Sequence, residues 1–115
     1  MCSATSNYER LSYSYEVRHY SSLTDEQLIN DLVNYGPITV GIDSSHDSVQ
    51  YAPSSGLIEN CPHVTKWDTD HLLLLVGYNS SHWFVKNSWG PYWADQGFAY
   101  VRRGAYDCGI TSWAD

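Results

Sequence analysis

The spacing of apolar residues predicts one amphipathic helix over about residues 24–35. Thr24 is placed to cap its first turn, and Gln27, three positions later, completes a capping box. Gly36, which a proline follows, ends the pattern because glycine readily adopts the conformation that closes a helix. The residues expected on the buried face of this helix are Leu28, Leu32 and Tyr35.

Short apolar runs dominate the rest of the chain and predict strands. After the helix they cover residues 38–43, 71–78, 83–87 and 97–102. A weaker alternation predicts a further strand within residues 13–20, whereas residues 44–69 are expected to form a long loop with little regular structure. The predicted fold class is α+β, with one main helix packed beside an antiparallel sheet that makes residues 38–112 rich in β-structure.

The composition is that of a globular domain with an acidic surface. The 115 residues fit one domain or part of one, and 43% of them are hydrophobic, which suffices for a core. Six Lys and Arg stand against thirteen Asp and Glu, giving a formal net charge of -7. Such a surface repels phosphate, so we expect no nucleic acid partner. The apolar run Leu72–Val76 is far too short to span a membrane.

Three cysteines, Cys2, Cys61 and Cys108, leave two interpretations open. In an oxidising compartment the odd number suggests one internal disulfide and one cysteine paired elsewhere, whereas in the cytosol all three are reduced thiols. No pair has the C-x-x-C spacing of a zinc site, and we expect no metal and no cofactor. The Asn-Ser-Ser sequence at Asn79, in a predicted hairpin turn, is a candidate glycosylation site and slightly favours the secretory route.

Candidate catalytic residues lie at the ends of two neighbouring predicted strands. His71 opens the predicted strand 71–78, and Asn87 closes the next one. Because the open ends of an antiparallel hairpin lie side by side, Asn87 is placed to bond one ring nitrogen of His71 and to aim the other outward. Trp89 follows two residues later and is placed to shield that hydrogen bond from water. Each residue also fits an ordinary role, as a structural histidine, a turn asparagine or a core aromatic.

Five sequence blocks resemble the papain-like cysteine peptidases, the family that includes the L-type cathepsins. The blocks are NYGPITVGID, SGLIENC, DHLLLLVGY, WFVKNSWGPYWADQGFAYVRRG and CGI. They occur in the family's order with similar spacings and cover most of residues 24–112. The resemblance implies that residues 1–115 form the C-terminal half of a mature catalytic domain, an antiparallel, barrel-like β-subdomain with one main helix.

The resemblance also implies roles for the residues of the predicted site. His71 matches the family's catalytic histidine, and Asn87 matches the asparagine that orients it. Trp89 matches the tryptophan that shields the hydrogen bond between them. Asp70 matches the residue just before the histidine, where a carboxylate is expected to favour the imidazolium form.

Further matches concern the cysteines and the substrate pocket. The resemblance implies a disulfide between Cys61 and Cys108, and it matches Cys2 with a cysteine that the family bridges to the other half of the domain. Three positions match the wall of the pocket for the second substrate residue upstream of the cleaved bond: Gly41, Leu72 and Trp113. Leu72 and Trp113 are bulky for that wall, which predicts a shallow or blocked pocket.

The family's nucleophilic cysteine, and the glutamine of its oxyanion hole, have no match in this sequence. We therefore expect the chain to work with a nucleophile-bearing N-terminal half on another chain or fragment, and to be inactive alone. The assembled protein is expected to hydrolyse peptide bonds of peptide or protein substrates through a thioester. The alternative is a non-catalytic binding or structural module of the same fold. The expected location is a lysosome or other acidic vesicle, or the extracellular space.

Overall fold

The computed structural model of the protein describes residues 20–21 and 23–114. Cys2 and nearly all of the strand predicted over 13–20 lie outside these residues. The strands and helices, in chain order, are β1 (Tyr20–Ser21), α1 (Asp25–Tyr35), β2 (Ile38–Ile42), α2 (Asp47–Gln50), β3 (Leu57–Ile58), β4 (His71–Tyr78), β5 (His82–Lys86), β6 (Phe98–Arg102) and β7 (Trp113–Ala114). Two short 3-10 helices, Lys66–Asp68 and Ile110–Ser112, complete the described structure.

The strands form a single sheet in the order β1-β7-β2-β4-β5-β6-β3. Neighbouring strands run antiparallel except β3 and β6, which are parallel because a long connection, rather than a hairpin, joins them. The expected α+β class, with one main helix and a mostly antiparallel sheet, is confirmed. The strands predicted after the helix all form, with ends within one residue of the predicted ones.

Helix α1 begins as the sequence predicts. The Thr24 hydroxyl accepts the backbone N–H of Gln27, and the Gln27 side chain accepts the backbone N–H of Thr24, which completes the capping box. Leu28 and Leu32 are buried, as expected. The prediction for Tyr35 was wrong, because its side chain is 56% exposed. Tyr35 is the last residue of the helix, so its side chain emerges at the helix end and not beneath the sheet.

Strand β4 is the central strand of the sheet, and its side chains alternate between the two faces. Leu73 and Leu75 point into the core, where they join buried residues of the neighbouring strands such as Val40, Trp83, Val85, Ala99 and Val101. Leu72, Leu74 and Val76, which alternate with them, remain exposed. Alternating side chains on a strand point to opposite faces, so an all-apolar strand here gives one buried and one exposed apolar face.

The segment 44–69 has more structure than its sequence indicated. It contains α2, β3 and the 3-10 helix Lys66–Asp68. Side-chain contacts, and not a periodic apolar pattern, stabilise this segment. The ring of His46 accepts the backbone N–H of Ser48 at the start of α2, and Val49 is fully buried. The disulfide between Cys61 and Cys108, which the resemblance implies, ties this segment to the C-terminal region.

The described part of the chain has no helix that is both long enough and apolar enough to cross a membrane.

Candidate active site

The first residue of β4 and the residue just after β5 meet as the sequence predicts. His71 Nε2 lies 2.8 Å from Asn87 Oδ1. Strand pairing sets the position of each residue: His71 lies opposite Ile42 on β2, and the backbone N–H of Asn87 donates to the carbonyl of Gly97 at 2.9 Å. Because both backbones are held by the sheet, the contact depends on the fold and not on a mobile loop.

The asparagine is oriented by its own backbone surroundings. Its Oδ1 also accepts the backbone N–H of Ser88 at 2.7 Å. A backbone N–H can only donate, so the atom that faces His71 is the amide oxygen. His71 must then donate through Nε2, which leaves Nδ1 as the nitrogen available for proton transfer. The arrangement is that of a base whose tautomer is fixed by an amide.

Trp89 covers one face of the imidazole. The rings of His71 and Trp89 are stacked, with their centroids 4.9 Å apart and an interplanar angle of 26°. Trp93 meets Trp89 edge to face at 5.6 Å and donates its own indole N–H to the carbonyl of Val49 at 2.7 Å. Trp93 is thus anchored in the core and supports Trp89, which remains 41% exposed.

The carboxylate of Asp70 is held by Ser44. Asp70 Oδ1 accepts the backbone N–H of Ser44 at 2.8 Å and its hydroxyl at 2.7 Å. These hydrogen bonds, opposed in part by desolvation, keep the pKa of Asp70 below its ordinary value, and the charge of His71 adds a smaller effect in the same direction. Asp70 therefore stays ionised beside His71, and its hydrogen bonds go to Ser44.

An open pocket of about 690 Å³ adjoins the histidine. Its lining residues are Lys66, Trp67, Thr69, Asp70, His71 and Leu72. A second pocket of about 380 Å³ reaches Asn87. Leu72, which is 53% exposed, lines both pockets.

The other predicted pocket residues lie on β2, which pairs with β4, and on β7, which pairs with β2. Gly41 is directly opposite Leu72 in the β2–β4 register. Thr69 packs over Gly41, where an added Cβ would lie 3.1 Å from the Thr69 hydroxyl oxygen and 3.2 Å from its Cβ. Trp113 belongs to β7, and its backbone pairs with Ser21. Asn79 is exposed in the turn between β4 and β5, at the end of β4 away from His71.

Sequence reasoning missed several residues that build this site. Ser44 and Thr69 contact it from the long segment before His71, and Lys66 and Trp67 form an exposed wall of the larger pocket. The Trp67 side chain is 84% exposed, with the Lys66 ammonium 5.0 Å from its ring centroid. An exposed tryptophan in a loop was the available signal, although sequence spacing cannot show which surface such a loop reaches.

Comparisons with known proteins agree on one family. The family model described as "Papain family cysteine protease" matches residues 1–114. Digestive cysteine proteinase 3 of Homarus americanus is 40% identical over 105 residues, which cover 86% of this chain and 30% of that protein. Silicatein of Petrosia ficiformis is 35% identical over 99 residues, which cover 82% of this chain and 29% of that protein.

The fold has a match among solved structures as well. The structure of digestive procathepsin L 3 from the larval midgut of Tenebrio molitor superposes with a TM-score of 0.68 at 30% sequence identity. The match covers 84% of this chain and 33% of that one. The chain thus spans only about three tenths of the length of the curated relatives it matches.

Proposed function

Since the chain belongs to the papain family of cysteine proteases, we propose that it is the part of a cysteine peptidase that carries the catalytic histidine and asparagine. In this proposal His71 is the acid and base, Asn87 orients it, and Trp89 and Asp70 support it. The attacking thiol lies in an N-terminal half outside these 115 residues, and the assembled protein cleaves peptide bonds. The hydrogen bond from His71 Nε2 to the fixed Oδ1 of Asn87 is the observation that carries the proposal.

The proposed reaction assigns each proton to one atom of His71. A cysteine thiolate from the other half attacks the carbonyl carbon of the substrate, and the imidazolium gives its Nδ1 proton to the leaving amine. The resulting thioester is hydrolysed by water, whose proton returns to Nδ1. Nε2 remains bonded to Asn87 throughout, so the ring keeps its orientation in both steps.

The exposed face of the sheet supports assembly with another half. Leu72, Leu74 and Val76 leave an apolar strip on β4, and the smaller pocket extends this strip to Asn87. An apolar surface of this kind favours contact with a partner over contact with water. The buried Nδ2 of Asn87 has no acceptor within the described part of the chain. We propose that the N-terminal half covers this strip and that Cys2 forms a disulfide to it.

The proposed location is an acidic vesicle or the extracellular space, and the proposed substrates are peptides and proteins. The disulfide between Cys61 and Cys108 supports an oxidising route of synthesis, because such bonds are rare in the cytosol.

A non-catalytic module of the same fold is the second candidate function. Leu72 supports it, because this half-exposed leucine lines both pockets and is bulky for the wall of a substrate pocket. One relative, silicatein, also has a name that is not that of a peptidase. Such a module would bind a partner through the same apolar strip without cleaving it.

Peptidase assays on the assembled protein distinguish the two candidates. We expect His71→Ala to abolish turnover, because both proposed proton transfers pass through Nδ1 of its imidazole. His46→Asn is the matched control: it removes an imidazole outside the site, and asparagine can still cap α2. Normal turnover in the His71 variant, or no turnover in the assembled parent, would rule out the peptidase proposal.

A further inference from the structure

The hairpin turn at the far end of β4 takes no part in the proposed chemistry, and its geometry points to a modification site. We propose that Asn79 carries an N-linked oligosaccharide. Asn79-Ser80-Ser81 is the one Asn-x-Ser/Thr sequence in the 115 residues, and its middle residue is not proline. A three-residue match is weak by itself, so the proposal depends on how the turn presents the side chain.

The turn holds the Asn79 amide by its oxygen. Asn79 Oδ1 accepts the backbone N–H groups of Ser81 at 2.9 Å and His82 at 2.7 Å. The Ser81 hydroxyl, from the third residue of the sequence motif, lies 3.2 Å from the same oxygen and 2.7 Å from His82 Nδ1. The two backbone donors lie on the oxygen side of the amide, so the nitrogen Nδ2 is directed away from the turn. Asn79 and Ser80 are both exposed, which leaves room for a bulky group.

The same hydrogen bonds favour the chemistry of transfer. The donors on Oδ1 stabilise negative charge on the oxygen, which eases loss of a proton from Nδ2. The co-substrate is an oligosaccharide joined through C1 of its first sugar to a lipid pyrophosphate. The Nδ2–C1 bond forms as the C1–O bond breaks, the lipid pyrophosphate leaves with the bonding electrons, and the proton from Nδ2 passes to a base of the transferase. No oxidation or reduction takes place.

Arg103 holds this turn in place through its side chain and its backbone. The Arg103 guanidinium donates to the carbonyl of Asn79 at 2.7 Å, and the Arg103 backbone N–H donates to the carbonyl of Ser81 at 2.9 Å. The same guanidinium binds Asp25 at the start of α1 at 2.9 Å. The acceptor amide therefore sits on a fixed, solvent-facing corner where β4, β5 and the end of β6 meet.

A glycan at this corner is compatible with the proposed peptidase site. Asn79 follows the last residue of β4, whereas His71 is its first. A strand rises about 3.3 Å per residue, so roughly 25 Å separate the two positions. The inference rests on the secretory route in the proposed function, but it needs neither peptidase activity nor a partner chain.

Peptide mapping of the natively purified protein tests the proposal. We expect the peptide that contains Asn79 to be found with an attached oligosaccharide, and to contain Asp at position 79 after treatment with a peptide N-glycosidase. An unmodified Asn79 in the native protein would overturn the proposal, whatever the outcome of the peptidase assays.

Translation of the full chain behind a secretory leader, in the presence of microsomes, tests whether glycosylation depends on the Asn79 motif once the chain is in the lumen. Protease protection first verifies that the chain has entered the lumen. Among protected chains, we expect one glycan in the parent and in Ser81→Thr, and none in Asn79→Gln, Ser80→Pro or Ser81→Ala. Asn34→Gln is the matched control, because it changes an exposed asparagine outside the motif, and it should keep the glycan. A protected parent chain without a glycan would contradict the proposal.

Discussion

Asn87 Oδ1 lies between two donors, His71 Nε2 at 2.8 Å and the backbone N–H of Ser88 at 2.7 Å. The backbone donor identifies the amide oxygen, and the amide oxygen in turn fixes the tautomer of the imidazole. The chain therefore sets the orientation and the proton position of His71 through its own sheet, before a thiol or a substrate is present.

The first prediction concerns removal of the acceptor. Asn87→Ala should lower kcat of the assembled protein by about 10²-fold, because the imidazole loses the bond that aligns it with the thiol and the leaving group. KM should change little, since Asn87 is buried and does not line the larger pocket beside His71. The measurement is steady-state kinetics on a peptide substrate.

Asn34→Ala provides the control for this variant. Asn34 donates to Asn30 on the exposed side of α1, so its loss removes an amide hydrogen bond without touching the site. Equal rates for the Asn87 and Asn34 variants would show that the orienting bond is dispensable.

The second prediction concerns the stacked tryptophan. Trp89→Ala should reduce kcat/KM by about fivefold, since the stacking and shielding of an aromatic pair contribute roughly 1 kcal/mol. Trp89→Phe keeps a ring over the imidazole and should recover most of the rate. If alanine and phenylalanine variants behave alike, the ring of Trp89 has no part in supporting His71.

The third prediction concerns the pH response of Asp70. NMR titration should show a lowered pKa for Asp70 in the parent and a higher one in Ser44→Ala, because the hydroxyl that favours the carboxylate is lost while the backbone N–H donor remains. A depressed pKa in the folded state stabilises the fold above the unfolded pKa. That stabilisation is lost as the pH falls through the folded value, below about pH 4.

Unfolding by urea at several pH values checks the direction of this dependence of stability on pH. The parent should be more stable than Ser44→Ala at neutral pH, and the difference should shrink on strong acidification. A difference that grows on acidification would mean that Ser44 does not act through the Asp70 carboxylate.

The fourth prediction concerns the disulfide. Cys61 and Cys108 are 47 residues apart, and closure of a loop of that size is expected to stabilise the fold by about 4 kcal/mol. Urea unfolding of the Cys61→Ala, Cys108→Ala and double variants should give similar losses, because each one breaks the same bond. Losses that add up in the double variant would contradict a single shared bridge.

The parts of the fold with a repeating local signal were predictable. The capping box at Thr24 and Gln27, and the strands on either side of Asn79, depend on neighbours within a few residues, so periodicity and turn chemistry indicate them directly. The pairing of His71 with Asn87 was also predictable, because it follows from the antiparallel hairpin that joins them.

What the sequence could not show depends on distant contacts. The segment before His71 has no periodic pattern, yet Ser44 binds Asp70 across 26 positions and Trp93 binds the carbonyl of Val49 across 44. Tyr35 keeps the helical spacing of Leu28, but the end of the helix exposes it. In each case the tertiary surroundings, and not the local pattern, decide where the side chain lies.

The reactivity of thiols in the natively purified protein tests the central claim most directly. A cysteine paired with His71 is a thiolate at mildly acidic pH, whereas ordinary cysteines react slowly there. Alkylation at about pH 5, followed by mass spectrometry, should reveal one fast-reacting cysteine on a copurifying polypeptide segment outside these 115 residues. Its rate should fall in His71→Ala. If every cysteine of the native assembly reacts at the slow rate of an ordinary thiol, His71 does not serve a nucleophile, and the chain is not half of a cysteine peptidase.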